Sequence, residues 1–155
     1  SASVSDPMPL STFSDNASFL WRMKLRDVQP SQAQIDETLA YMDRSFGSSG
    51  FAFADLHRIC VTALSGDSVR RDRLRQHLAE AATQKGSQVA RSLDAVCAGF
   101  FAYADGDYAT AAKLTCAEVE RSVLFGGSNP QRRLVADTCK AARERINAND
   151  CTTGP

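Results

Sequence analysis

The chain has 155 residues, of which 43% are hydrophobic and 23% charged, a composition that fits one globular domain and excludes a disordered chain. Eighteen Lys and Arg residues balance eighteen Asp and Glu residues, so no net field favours nucleic acid or an anionic membrane surface. No apolar run is long enough to span a bilayer, and we expect neither a nucleic-acid partner nor a membrane partner.

The first residues carry no periodic pattern. Residues 1–13 are rich in Ser and Pro and are predicted to be a disordered linker, followed by one helical domain over residues 14–147 and a frayed tail at 148–155. Ser14 or Asp15 is expected to cap the first helix. Its predicted buried side carries Phe19, Leu20 and Met23, with Trp21 near an edge of that side.

Three further helices are predicted before residue 86. The second begins after Ser31, buries Ile35, Leu39, Met42 and Phe46, and ends at the Gly/Ser-rich residues 47–50. The third runs over about residues 51–64 and ends at Gly66. The fourth, from Asp67 or Ser68 to Lys85, is heavily charged and has only a thin apolar stripe.

The clearest pattern is a helical hairpin centred on residues 105–107. Two amphipathic helices are joined there by Asp105-Gly106-Asp107, in which Gly106 suits the end of one helix and Asp107 the cap of the next. Small residues such as Gly99 and Ala111 would let the two backbones approach closely. The sixth helix is expected to end at Gly126-Gly127, and a seventh, opened by Ser128 or Asn129, to run to about residue 146.

Together these elements predict an all-α fold. We find no alternating strand pattern, and seven helices with short connections would stack as antiparallel helical hairpins in a tetratricopeptide-like array. A Gly-Asp junction between helices occurs at residues 66–67 and again at 106–107, which is a weak internal repeat.

The central hairpin resembles a tetratricopeptide repeat, because Gly99, Gly106, Tyr108 and Ala111 stand at the spacing of its packing Gly, turn Gly, aromatic and small residue. Four segments in order are similar to the tetratricopeptide repeat protein 38 family: FLWRMKL (19–25), FAFADLH (51–57), GDY (106–108) and GGSNPQR (126–132). The resemblance implies a helical-repeat scaffold that corresponds to the C-terminal part of a longer protein, and it implies no reaction. Asn129-Pro130 departs from the His-Ala expected in the last segment.

The five cysteines favour a reducing compartment. Their number is odd, no Cys-x-x-Cys pair occurs, and four of them fall inside predicted helices among apolar neighbours. This is typical of buried thiols, although a disulfide framework stays open. We therefore expect a cytoplasmic protein.

Two sets of residues could form a binding site. The basic run of the fourth helix and the aromatic residues of the central hairpin predict a partner-binding surface of Arg71, Arg75, Phe101, Tyr103 and Tyr108. Asp67–Arg71 is expected to pair at the surface, and most of the run could equally be a solvated helix face.

The second set would serve a ligand: His57, Phe53 and Asp55, with Arg132 beside the Gly126-Gly127 turn as a counter-charge. Asp55 and His57 are two residues apart and would not share a helix face. We find no spacing that indicates a metal site, a catalytic triad or a cofactor motif, and we expect none of these.

These observations predict a non-catalytic scaffold that binds a partner peptide or helix. The alternative is a helical domain that binds a small molecule or supports an active site. If the chain is part of a longer protein, its partner could be the missing repeats, and an exposed helix face would promote self-association.

Overall fold

The computed structural model describes residues 9–45, 51–152 and 154. This part of the chain is helical throughout, and it contains no strand. The predicted burial of Phe46 and the predicted helix end at 47–50 lie outside the described residues. The elements are α1 (Pro9–Leu25), α2 (Gln32–Ser45), α3 (Ala52–Ser65), α4 (Ser68–Lys85), α5 (Gln88–Ala104), α6 (Tyr108–Glu118), a 3-10 helix (Arg121–Phe125), α7 (Asn129–Arg132) and α8 (Leu134–Thr152).

The helices pack as a stack of neighbouring hairpins. Helices α1, α3 and α5 contact one another in turn, while α2 packs on α1 and α3, and both α4 and α6 pack on α5. Helix α8 packs on α6 and also returns to α1. The predicted all-α array of packed helices is therefore confirmed, and in addition its first and last helices touch.

The predicted start of α1 is wrong, and so are the predicted positions of Phe19 and Trp21, whereas Leu20 is buried as predicted. The helix begins at Pro9, inside the predicted linker, and buries Phe13, Ala17, Leu20 and Trp21, whereas Phe19 is 61% exposed. These four positions follow the i, i+4, i+7, i+8 spacing of one helix face. Phe13 lies before the predicted start of the helix, and without it the remaining residues do not show that Trp21, rather than Phe19, lies on the buried face.

Trp21 lies at the centre of the core. Its ring stacks on Phe100 with 4.8 Å between the ring centroids and meets the edge of Tyr103 at 5.8 Å. The Nε1 atom of Trp21 donates to Thr138 Oγ1 at 2.9 Å, and Arg22 binds Asp137 at 3.3 Å. Helix α1 is thereby attached to both α5 and α8.

The central hairpin has the predicted construction. Gly106 takes a left-handed backbone conformation with φ of 83°, and Asp107 accepts a hydrogen bond from the backbone N–H of Thr110. At Gly99 a Cβ atom would lie 2.7 Å from Thr115 Cγ2, so this glycine permits the close approach of α5 and α6. The Gly66-Asp67 junction is built in the same way, with Asp67 as the cap of α4.

The second half of the hairpin is shorter than predicted. Helix α6 ends at Glu118, and the chain reaches Gly126 through the 3-10 helix, because Ser122 and Phe125 are buried by that tighter turn. At the other end, α8 continues to Thr152 through most of the predicted frayed tail.

A disulfide between Cys116 and Cys139 joins α6 to α8, so the expectation of reduced thiols is wrong for this pair, and the disulfide alternative applies to it. The other three, Cys60, Cys97 and Cys151, are free. Sequence spacing could not show that α6 and α8 lie side by side. Since disulfides persist mainly in oxidising compartments, the thiol argument for a cytoplasmic protein no longer holds.

Candidate functional site

Arg71, the first of the predicted partner-binding residues, makes its contacts within the molecule. Its Nη1 atom pairs with Asp105 at 2.6 Å, rather than with the predicted Asp67. Its guanidinium lies 5.2 Å from the centre of the Phe101 ring and donates to the carbonyl oxygen of Ala63. Arg71 thus connects α3, α4 and α5, and its side chain is only 17% exposed.

The aromatic residues of the predicted partner-binding surface are also mostly buried. Phe101 and Tyr103 are 7% and 1% exposed, and burial raises the pKa of Tyr103 to about 12. Tyr108 is half-buried, with Arg145 over its ring at 5.4 Å. Only Arg75 of the predicted surface is fully exposed. The five residues therefore do not form a single docking surface.

The opposite side of α4 lines an open groove of about 650 Å³. Helix α4 contributes two rows of side chains, Val69, Arg73 and His77 along the outer row and Arg70 and Leu74 along the inner one. Members of each row are four residues apart and so share one helix face. We call this cavity the α4 groove; its other lining residues are Met42 and Asp43 of α2, Arg58 and Thr62 of α3, and Asp67.

The α4 groove combines apolar and polar groups. Met42, Thr62 and Leu74 are buried at 4%, 3% and 7% exposure, whereas Val69 is 56% exposed. A groove with a buried apolar base and an exposed apolar residue at its edge suits the insertion of one or two apolar side chains.

The lining of the α4 groove carries more positive than negative charge. Arg70 pairs with both aspartates, with Nη2 2.7 Å from Asp43 and Nε 3.6 Å from Asp67. The hydrogen bond from Arg70 lowers the pKa of Asp43, and the charges of Arg70 and Arg58 act in the same direction. The lining therefore holds three arginines against two aspartates, and it carries an excess positive charge.

Arg73 stands on the exposed outer row of α4. Within residues 9–45 and 51–152 its guanidinium forms no ion pair, in contrast to Arg70 and Arg71. The basic run of residues 69–75 is thus divided between two sides of α4, because Arg71 packs against α5 whereas Arg70 and Arg73 line the α4 groove. The four-residue spacing of Val69, Arg73 and His77 places these three residues on one helix face.

His57 and Phe53, the predicted ligand residues, do come together, but in a packed corner. His57 is 0% exposed, and its Nδ1 atom donates to the carbonyl oxygen of Phe53 at 2.7 Å. The two rings are 4.6 Å apart. Burial lowers the pKa of His57 below its ordinary value of 6.5, although the hydrogen bond to Phe53 opposes this shift. A buried neutral histidine packed on a ring has a structural role here.

The Gly126-Gly127 turn completes the same corner. A Cβ atom at Gly127 would lie 2.5 Å from Cε2 of Phe53, so the ring rests directly on the turn. Arg132 donates from Nε to the carbonyl oxygen of Gly127 at 2.8 Å, which ties the predicted counter-charge to the turn. Asp55 lies elsewhere, on the wall of a separate cavity between α3, α4 and α5.

Within residues 9–45 and 51–152 no three His, Cys, Asp or Glu side chains are grouped so that they could hold a metal ion. None of the helices in these ranges combines the length and apolarity needed to cross a bilayer. The chain matches no protein-family model, and searches of curated proteins and of solved structures returned no match. The resemblance to the tetratricopeptide repeat protein 38 family stays a prediction.

Proposed function

We propose that this protein is a non-catalytic interaction scaffold that holds an acidic segment of a partner protein in the α4 groove. The observation that carries the proposal is the composition of this groove: an apolar base of Met42 and Leu74 lies beneath a rim of arginines, and both of its aspartates are engaged by Arg70. The excess positive charge of the groove favours a negatively charged partner segment, because opposite charges steer association and like charges repel.

An amphipathic helix is the form of partner that suits this shape. Apolar side chains on one face of such a helix would enter between α2 and α4, while acidic side chains beside them would meet the exposed Arg73. Helix-in-groove recognition commonly uses this division between apolar anchors and a charged rim. The predicted contact with missing repeats of a longer chain, or with a second copy, stays a prediction.

The test is selection from a displayed library of random 16-residue peptides on the purified chain. We expect the enriched peptides to be acidic and amphipathic. Their affinity, measured by fluorescence anisotropy, should fall about tenfold in an Arg73→Glu variant, because an attractive charge becomes a repulsive one.

Arg75→Glu is the matched control, since it makes the same charge reversal on an exposed position of the same helix outside the groove. Its affinity should stay within about twofold of the wild type once salt screens the distant charge. Enrichment of basic or neutral peptides, or equal losses in the two variants, would count against the α4 groove as the binding site.

A further inference from the structure

A second cavity, of about 310 Å³, lies where the beginning of α3, the end of α4 and the beginning of α5 meet. Its apolar wall is formed by Leu78 of α4 with Val89 and Leu93 of α5. Leu78 and Leu93 are 3% and 4% exposed, so this wall continues into the hydrophobic core. A ligand would therefore bury apolar surface against side chains that the fold already holds in place.

The cavity is open because the three helices bring small side chains together at this point. Ala52 comes from α3, Ala81 from α4 and Ala90 from α5, and α3 and α4 make few contacts with each other. Neighbouring helices normally pack densely. Here the opening leaves apolar groups of three helices in contact with water, and covering these groups is favourable.

The volume of the cavity sets the size of the ligand. An apolar cavity of roughly 150 Å³ holds one benzene molecule. The cavity of about 310 Å³ therefore suits a compact molecule of two fused rings. This volume is also at the lower end of the range that small-molecule sites occupy.

The charged groups around the cavity give no preference for an ionic ligand. Asp55 is 5% exposed and already has an interaction within the molecule. Glu80 accepts a hydrogen bond from Gln76 at 2.9 Å, and Glu80, Lys85 and His77 are exposed, so water screens their charges. An ion would lose part of its hydration here without gaining a shielded counter-charge. The lining therefore favours an uncharged molecule.

We infer that this cavity binds an uncharged, apolar molecule of about two fused rings. The rings would lie on the wall of Leu78, Val89 and Leu93, in the space that Ala81 and Ala90 leave open. The apolar area removed from water would supply the binding energy. This inference concerns a different surface from the partner-binding part of the α4 groove and does not depend on the scaffold proposal.

The probe for the test is indole, compared with tryptamine and indole-3-acetate, which add a positive or a negative charge to the same ring system. In ¹⁵N NMR titrations of the purified chain, indole should shift the backbone signals of residues lining the cavity in a saturable way. We expect neither charged analogue to bind more than about twofold more tightly than indole. A gain of about tenfold or more for either analogue would show that a charge selects the ligand, against the inference.

Cavity-filling variants locate the binding site. Ala81→Leu/Ala90→Leu should weaken indole binding at least about tenfold, because the added side chains occupy the space of the rings. Ala79→Leu, the same change at an exposed position of α4 outside the cavity, should keep the affinity within about twofold of the wild type. If the double variant does not fold, as judged by circular dichroism, Ala90→Leu alone provides the comparison. Absence of saturation in the wild type, or equal affinities in the filled and control variants, would overturn the inference.

Discussion

Helices α1, α5 and α8 form one region of the molecule, and it is built very differently from a second region, helix α4. The first has Trp21 buried between Phe100 and Thr138, with a disulfide between α6 and α8 close by in the fold. In the second, the only fully buried side chains are Leu74 and Leu78, and Arg70 forms an exposed ion pair with Asp43. Buried apolar area, which dominates folding stability, is therefore larger in the first region than in α4.

Because of this difference, the residues that stabilise the fold and the residues available for binding lie in different regions of the molecule. A surface with little buried area can carry charged and apolar groups that are available to a partner, because the fold does not depend on them. Variants in the α4 groove should therefore change binding at little cost in stability. Variants around Trp21 should lower stability and leave binding little changed. Three changes test this comparison.

The largest effect is expected for Trp21→Ala. Removing this fully buried ring leaves a cavity beside Phe100, and we expect the free energy of unfolding to fall by about 3–5 kcal/mol. Chemical denaturation followed by circular dichroism measures the loss. Phe19→Ala, on the same helix but 61% exposed, should cost only about 0.5 kcal/mol or less. Similar losses in the two variants would contradict the placement of Trp21 in the core.

The second-largest effect is expected when the disulfide bond between Cys116 and Cys139 is removed. For a sequence separation of 23 residues, the chain-entropy estimate gives a stabilisation of about 3 kcal/mol, which a Cys116→Ser/Cys139→Ser variant should lose. Alkylation in denaturant without a reductant, read by mass spectrometry, should label only Cys60, Cys97 and Cys151. Labelling of all five thiols would show that the bond is absent from the purified protein.

The smallest effect concerns Arg70 and Asp43. Their side chains are 35% and 49% exposed, so a double-mutant cycle with Arg70→Ala and Asp43→Ala should give a coupling energy below about 1 kcal/mol at pH 7. Arg70 lowers the pKa of Asp43 below its ordinary value of 3.8. The stabilisation is thus present above 3.8 and is lost as the pH falls through the lower folded-state pKa. A coupling energy that persists at about pH 2 would exclude this ion pair as its source.

Local features of the fold could be predicted from the sequence. The α5–α6 hairpin, its Gly106 turn and the Asp107 cap depend on residues that are neighbours in the chain, and they occur where predicted. The same holds for Asp67 at the start of α4. Capping and turn residues act over a few positions, so their pattern is legible without knowledge of the tertiary structure.

Features that depend on which helices meet could not be predicted. The pairing of Cys116 with Cys139 requires the contact between α6 and α8, which spacing does not reveal. Helix α4 is so polar that its pattern does not show which side faces α5, so the sequence predicts a surface position for Arg71, which in the structure binds Asp105. Likewise, the sequence predicts Phe101 and Tyr103 as surface residues, because it does not show that Arg71 lies over the Phe101 ring and that Trp21 packs on Tyr103.

The contact between Phe53 and Gly127 restricts how this sequence can vary among relatives. Gly127 has a φ of 92°, and a Cβ atom there would overlap the Phe53 ring. A side chain at 127 therefore requires both a smaller residue 53 and a change in the backbone of the turn, because the positive φ strains any residue other than glycine. A change at 127 should thus be accompanied by a change at 53. His57, whose ring packs on Phe53, would have to adjust with them, so these three sites should change together or stay fixed together.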